Sequence, residues 1–377
     1  MIGTGGSAIV AKTLGEKEDK KANEYFSMIV YFSIIVGIII TITGLLFIKP
    51  FCSMLGAKGE VLRNCTIYGN ILFPFSTFFI LQSIFSTFLI TAEKPKMAMA
   101  LTIIAGVINI IFDTLLIVVL KLEVVGASFA TISGMFFTAL IPLLYFIFSK
   151  ESKLKLVKTK INMKIIGKSC FNGLSELVSN ISGALVALIF NYKLMQIAGN
   201  DGVAAYSVTM YLSSVFSATF LGYGTGVAPI IAYNYGAKNN KEQKNIFKKS
   251  IIMICVFGVL LTLLAEITAV PLSKIFVNYD INVLNMSVNG FRIYAISLLF
   301  MGINLFASSF FTALNNGVVS GLISFIRTFI MQIGTVMIIP IFLGLNGIWI
   351  STVVAEILTM IISIIFIINN RKKYQYI

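Results

Sequence analysis

Long apolar runs separated by short charged stretches dominate this chain. Ten of these runs are complete: 25–48, 64–91, 98–120, 124–148, 168–197, 203–232, 247–271, 283–312, 317–342 and 346–369. Each is long enough to cross roughly 30 Å of hydrocarbon at about 1.5 Å per residue of helix. Residues 1–11 read as the tail of one further span. The pattern predicts an all-α polytopic membrane protein.

Composition agrees: 58% of the residues are hydrophobic and 12% charged, against about 25% charged in a soluble domain. The net charge of +14 would suit nucleic acid, but its placement argues for a membrane. When the loops are assigned alternately to two sides, one side carries 21 Lys or Arg, the other five, and three lie within spans. This asymmetry is the positive-inside pattern, so the lysine-rich side is expected to be cytoplasmic, with the C-terminus and the segment 149–166. The lysine run 150–164 could also hold anionic lipid headgroups. Nucleic acid is not expected as a partner.

The four cysteines (Cys52, Cys65, Cys170, Cys255) form no CxxC pair, and histidine is absent. Neither a zinc site nor a disulfide framework is indicated, and any proton exchange must fall to carboxylates. The GTGGS and GYGTG stretches lack the GK[ST] of a phosphate loop and the preceding strand of a dinucleotide fold, so they read as close helix contacts. No cofactor is expected.

Shifted by 221 positions, the sequence registers on itself without a gap across nearly 130 residues. Gly3-Thr4-Gly5 falls on Gly224-Thr225-Gly226, Gly37 on Gly258, Thr41 on Thr262, Pro50 on Pro271, Gly69 on Gly290 and Gly126 on Gly347. The repeat predicts two six-helix lobes of the same orientation, related by a pseudo-twofold along the membrane normal. The expected division is a first lobe over 1–148, a basic linker over 149–166 and a second lobe over 167–377. The second half holds six spans and the first only four and a fraction. By the repeat, roughly 56 residues would precede Met1 in a twelve-span chain, so a chain entered within its second span is expected.

Of the fifteen carboxylates, only Asp113, Glu176, Glu266 and Glu356 fall within spans. An ionisable group in hydrocarbon is costly, so each is a functional candidate. Asn109 precedes Asp113 by one helical turn, and Thr131 lies seven residues into the next span. The three side chains are expected to meet at one depth and offer hard oxygen ligands to Na⁺, or a carboxyl for proton exchange. Glu176 is a candidate for lining a substrate cleft, where it would attract a cationic substrate, against a role in helix packing. Arg327 and Glu356, near mid-depth on adjacent spans, are expected to form a structural ion pair. Glu266 is expected to reach the headgroups.

Several stretches together resemble the multidrug and toxic compound extrusion transporters: GTGGSAIVAKTLGE at the start, AEKPKMAM (92–99), NIIFD (109–113), GTGVAPIIAYNYGAKN (224–239) and SFIRTFIMQIGTVMIIPIFLGLNGIW (324–349). The resemblance implies twelve helices in two lobes and export of organic cations or amphipathic drugs against Na⁺ or H⁺. It also implies a cation site of Asn109, Asp113 and Thr131, completed in such members by an aspartate on helix one that this chain lacks. Other members pair a helix-seven Glu with a helix-ten Asp, and the span in the helix-ten position here, 283–312, has no Asp.

The expectation is therefore a multidrug antiporter in a bacterial cell membrane, monomeric and without catalysis. A lipid-linked oligosaccharide flippase is the alternative. Such a protein needs cationic residues in its cleft, and only Arg292 and Arg327 lie deep enough. No catalytic constellation is legible.

Overall fold

The computed structural model describes residues 1–376, which are helical with no strand among them. The helices are α1 Ile2–Gly15, α2 Asp19–Met54, α3 Gly59–Leu72, α4 Ser76–Thr91, α5 Pro95–Asp113 and α6 Glu123–Phe148. They continue as α7 Met163–Asn172, α8 Leu174–Gly236, α9 Asn240–Phe276, α10 Ile281–Ala313, α11 Gly317–Phe325 and α12 Gln332–Tyr374. Contacts divide the chain into two compact units, residues 2–169 and residues from Cys170 on.

Among the described residues, eight helical stretches are long and apolar enough to cross a membrane. Two of them are too long for one crossing. The 63 residues of α8 would reach about 95 Å as a straight helix. Instead, Gly199 adopts φ 61°, ψ −150° and breaks the helix. Phe190 and Tyr206, on either side of the break, stack with ring centroids 5.2 Å apart, so the chain doubles back there. Gly344 (φ 56°, ψ −134°) does the same in α12, where Ser351 donates to the Thr335 carbonyl at 3.1 Å. Only glycine adopts such a backbone freely. With both hairpins opened, the crossings that follow α1 match the ten apolar runs.

Two runs are less regular than their sequence suggests. The run 64–91 is divided by a 3₁₀ turn, Phe73–Phe75, which holds Pro74 and separates α3 from α4. The run 168–197 is broken at Gly173, between α7 and α8.

The internal repeat reappears as repeated contacts. A Cβ on Gly37 would lie 2.7 Å from the Thr77 Cα, and one on Gly258 3.4 Å from the Leu298 carbonyl oxygen, and Thr77 and Leu298 are themselves 221 positions apart. Thr41 donates to the Phe73 carbonyl at 2.8 Å, while Thr262 donates to the Ala295 carbonyl at 3.1 Å. Gly126 sits against the Leu116 backbone, and Gly347 against Pro340 and Ile339. Small residues bring backbones close where lipid offers helices no hydrophobic gain on association.

The faces turned away from these contacts are apolar. Ile38, Ile42, Phe47, Ile103, Val107 and Val118 are all exposed, as a bilayer solvent requires. In the first unit, the segment after α6 is tethered to α2. Lys155 N donates to Asn23 Oδ1 at 2.7 Å and Val157 N to Ser27 Oγ at 2.9 Å, while Leu154 is fully buried. In the second unit, Phe190, Leu194, Tyr206, Val336, Ile348 and Trp349 form a buried cluster that joins the two hairpins. Past α12, Tyr376 turns back to pack against Phe247 and Phe310, and its hydroxyl donates to the Ile367 carbonyl at 2.7 Å.

Candidate functional site

Four carboxylates lie within apolar spans, and tertiary contacts sort them into two kinds. Glu266 does not simply reach toward headgroups: its Oε2 lies 3.6 Å from Arg292 Nε. The fold returns α10 alongside α9, and each charge finds a partner there. Arg292 is therefore not a free cation.

Glu356 is fully buried and grips Arg327 through two oxygens. Arg327 Nε donates at 2.9 Å to Oε1 and 3.1 Å to Oε2, and Nη2 donates at 2.7 Å to Oε1. Asn304 Nδ2 donates to Oε2 at 2.7 Å and to the Glu356 backbone carbonyl at 2.9 Å. Ser363 Oγ in turn donates to Asn304 Oδ1 at 3.0 Å. Arg327 stands on a π-helical turn, Ile326–Met331, and the Gly344 hairpin carries Glu356 back beside it. Every oxygen of this carboxylate is occupied, as a buried charge requires. The sequence signal for Asn304 is an amide inside an apolar span.

Two cavities in the second unit meet at this pair. One, of about 610 Å³, is lined by Phe190, Tyr206, Tyr211, Met210, Arg327 and Glu356, among others. The other, of about 290 Å³, is lined by Glu176, Ser179, Asn304, Ser308 and Arg327. Tyr294, Met301, Arg327 and Thr328 are common to both and form the partition. Glu176 is half-buried in the first turn of α8, where the helix N-terminus favours a negative charge. Its carboxylate has no ion-pair partner among the described residues.

Asp113 is the last residue of α5, and the backbone widens into a π turn at Thr114–Val119 immediately after it. Such turns recur at functional positions because they re-aim side chains that a regular helix would stack. Asn109, Asp113 and Thr131 are all half-buried. Gly134 packs on Ala105 and Gly126 on Leu116, a register that lays the Thr131 stretch of α6 antiparallel along the Asn109–Asp113 turn of α5. The Thr131 hydroxyl donates to its own helix at the Ala127 carbonyl, 2.9 Å away. Among the described residues, no hydrogen bond or ion pair joins any two of the three, and Asp113 has no cationic partner. Nor does any group of three or more His, Cys, Asp or Glu form a metal-binding cluster among them.

The fold and these groups define a multi-pass helical membrane protein of two repeated units, with charges held inside its apolar spans. The MatE family model matches residues 1–115 and 177–338, and the chain belongs to that family, the multidrug and toxic compound extrusion transporters. Multidrug export protein MepA of Staphylococcus saprophyticus is 26% identical over 350 residues, covering 93% of this chain and 75% of that protein. MepA of Staphylococcus aureus is 26% identical over 376 residues, covering 98% of this chain and 82% of the relative. A crystal structure of a MATE in complex with MaL6 superposes with TM-score 0.95 at 20% identity, over 100% of this chain and 85% of that one. An outward-facing conformation of a multidrug resistance MATE family transporter gives 0.94 at 20% identity, over 100% of this chain and 84% of that one.

Proposed function

We propose that this chain is a secondary active multidrug exporter, driving organic cations or amphipathic drugs out of the cell in exchange for Na⁺ or H⁺. The observation that carries the reading is the state of Asp113. Of the four carboxylates within spans, two are neutralised by arginine and one lies in a helix's first turn. Asp113 and Glu176 have no cationic partner among the described residues, and Asp113 is the one that stands at the far end of its helix, without a helix N-terminus to favour its charge. An isolated intramembrane carboxylate is retained at a cost, and exchange of an external cation is a role that explains it. Asn109 and Thr131 supply neighbouring oxygens for that cation, with Asp113 as the charged member of the site.

Coupling follows if the cation and the drug favour opposite conformations, since each can shift the equilibrium only by its differential affinity. Glu176 lines a cavity and adds negative potential that suits a cationic substrate. The Arg327–Glu356 pair holds α12 against the π turn as a structural link. The lysine-rich loops, the segment 149–166 and the C-terminus face the cytoplasm on this reading, and the protein acts as a monomer without catalysis. A lipid-linked oligosaccharide flippase is less well supported, because both deep arginines are tied to glutamates.

The test is efflux of ethidium from cells expressing the chain, under an imposed Na⁺ gradient and separately under an imposed H⁺ gradient. Efflux that follows one gradient is expected and names the coupling ion. A membrane-inserted protein that moves no ethidium under either gradient would remove the antiporter reading.

A further inference from the structure

Thirteen positions separate Cys52 from Cys65, and no sequence motif joins them. The register of α2 against α3 does. Gly44 sits against the Phe73 ring, and a Cβ on Gly69 would fall 2.6 Å from Ile48 Cδ1. From the first of these facing pairs to the second, each helix advances one turn toward the connecting loop, so the two run antiparallel. One further turn brings residue 52 opposite residue 65, and the Cys52 and Cys65 side chains interact directly. Glycine at 44 and 69 lets the backbones come close along this seam. The loop 55–58 closes it tightly: Gly56 and Gly59 take φ 94° and 56°, and Ala57 N donates to the Cys52 carbonyl at 3.1 Å. A disulfide needs neighbouring backbones with side chains aimed at one another, and this pair meets both conditions. The two thiols differ in access, since Cys52 is buried and Cys65 exposed. Lys58, Glu60 and Arg63 are exposed beside them, which places the pair at the water boundary rather than deep in hydrocarbon.

We infer that Cys52 and Cys65 form a redox modification site, joining in an oxidising medium as a disulfide that staples the loop ends of α2 and α3. Cys65 is the attacking thiol and Cys52 the resolving one. The oxidant is a low-molecular-weight disulfide. The Cys65 sulfur attacks one of its sulfurs, breaking that S–S bond and releasing one small thiol. Cys52 then attacks the Cys65 sulfur of the mixed disulfide and releases the second. Two protein thiols are oxidised, one external disulfide is reduced, and the two protons leave on the released thiols. On the orientation proposed above, this hairpin lies on the side away from the lysine-rich loops, outside the reducing cytosol. That setting rests on the proposed orientation, whereas the pairing of the two thiols does not.

The test uses the full chain carrying Cys170→Ser and Cys255→Ser, both in the other unit, so that only this pair of thiols remains. The protein is purified in detergent, incubated with oxidised glutathione and weighed by mass spectrometry. Loss of two hydrogens with no glutathione retained is expected. Trypsin cuts at Lys58 and Arg63, between the two cysteines, and the peptides that hold them should stay joined until a reductant is added. With Cys52→Ser added, Cys65 has no resolving thiol and is expected to retain one glutathione. With Cys65→Ser instead, the buried Cys52 is expected to stay reduced over the same time. The inference is overturned if the pair stays reduced, if each sulfur keeps its own glutathione, if the link forms only between two copies of the chain, or if the two single variants react alike. A membrane-impermeant maleimide added to intact cells tests the setting separately. Labelling of Cys65 from outside is expected; its absence, with the disulfide still forming in the purified protein, removes the proposed orientation and leaves the thiol pairing standing.

Discussion

At Asp113 and Glu356 the same chemical group meets opposite surroundings. Glu356 is enclosed and satisfied by Arg327 and Asn304, whereas Asp113 is half-buried beside a π turn with no cationic side chain paired to it among the described residues. Their substitutions should therefore fail differently. Asp113→Asn is nearly isosteric and removes only the charge, so the protein should insert normally yet lose gradient-driven ethidium efflux. Parent-like efflux from that variant would dismiss Asp113 as the coupling group. Glu356→Gln strands the Arg327 charge, and should lower stability in detergent by about 3–5 kcal/mol, whereas the Arg327→Met/Glu356→Met double should stay close to the parent. Thermal unfolding followed by circular dichroism distinguishes the two. If the single and double variants melt together, the pair is not a matched buried unit.

Elements in this protein are defined by where glycine admits a neighbour and where it lets the chain reverse. Gly37 meets the Thr77 backbone, so Gly37→Val should overpack the contact and cost about 1–3 kcal/mol. Gly106 has nothing within 4 Å of its Cβ position, and Gly106→Ala should be neutral or stabilising by up to about 1 kcal/mol through helix propensity. Thermal unfolding of the two variants side by side checks the contrast, and equal melting would mean that these packing contacts do not govern stability. Helix positions were legible in the sequence because apolar run length answers directly to membrane thickness. The 3₁₀ turn at Phe73–Phe75 was visible as Pro74, but the break at Gly173 was not, since one glycine in an apolar run reads equally as a packing residue.

On the scale of the whole molecule, the two units repeat the same helix contacts but not the same chemistry. Under the 221-position shift, Asn109 and Asp113 correspond to Ile330 and Gly334, and the second unit holds the Arg327–Glu356 pair and the larger cavity instead. The aromatic tail completes that unit: Tyr376 is buried between Phe247 and Phe310, and burial raises its hydroxyl pKa above the usual tyrosine value. Tyr376→Ala should cost about 3 kcal/mol, the scale of deleting a buried aromatic ring. Trp349 fluorescence, which senses the second unit alone, should show its transition at lower temperature. An unshifted transition would make the tail dispensable.

By itself the sequence determined that the chain is helical and membrane-spanning, where its crossings fall, that it repeats, and which carboxylates are costly enough to matter. Those properties follow from local quantities: run length, charge placement and residue spacing. Only the tertiary structure decided which carboxylates are neutralised. Glu266 and Arg292 are separated by 26 positions and Arg327 and Glu356 by 29, and whether such charges meet depends on how helices are rotated and on where a hairpin turns. The same holds for the register of α6 against α5 and for the cavity beside Arg327, because both are set by which faces of several helices close around one space.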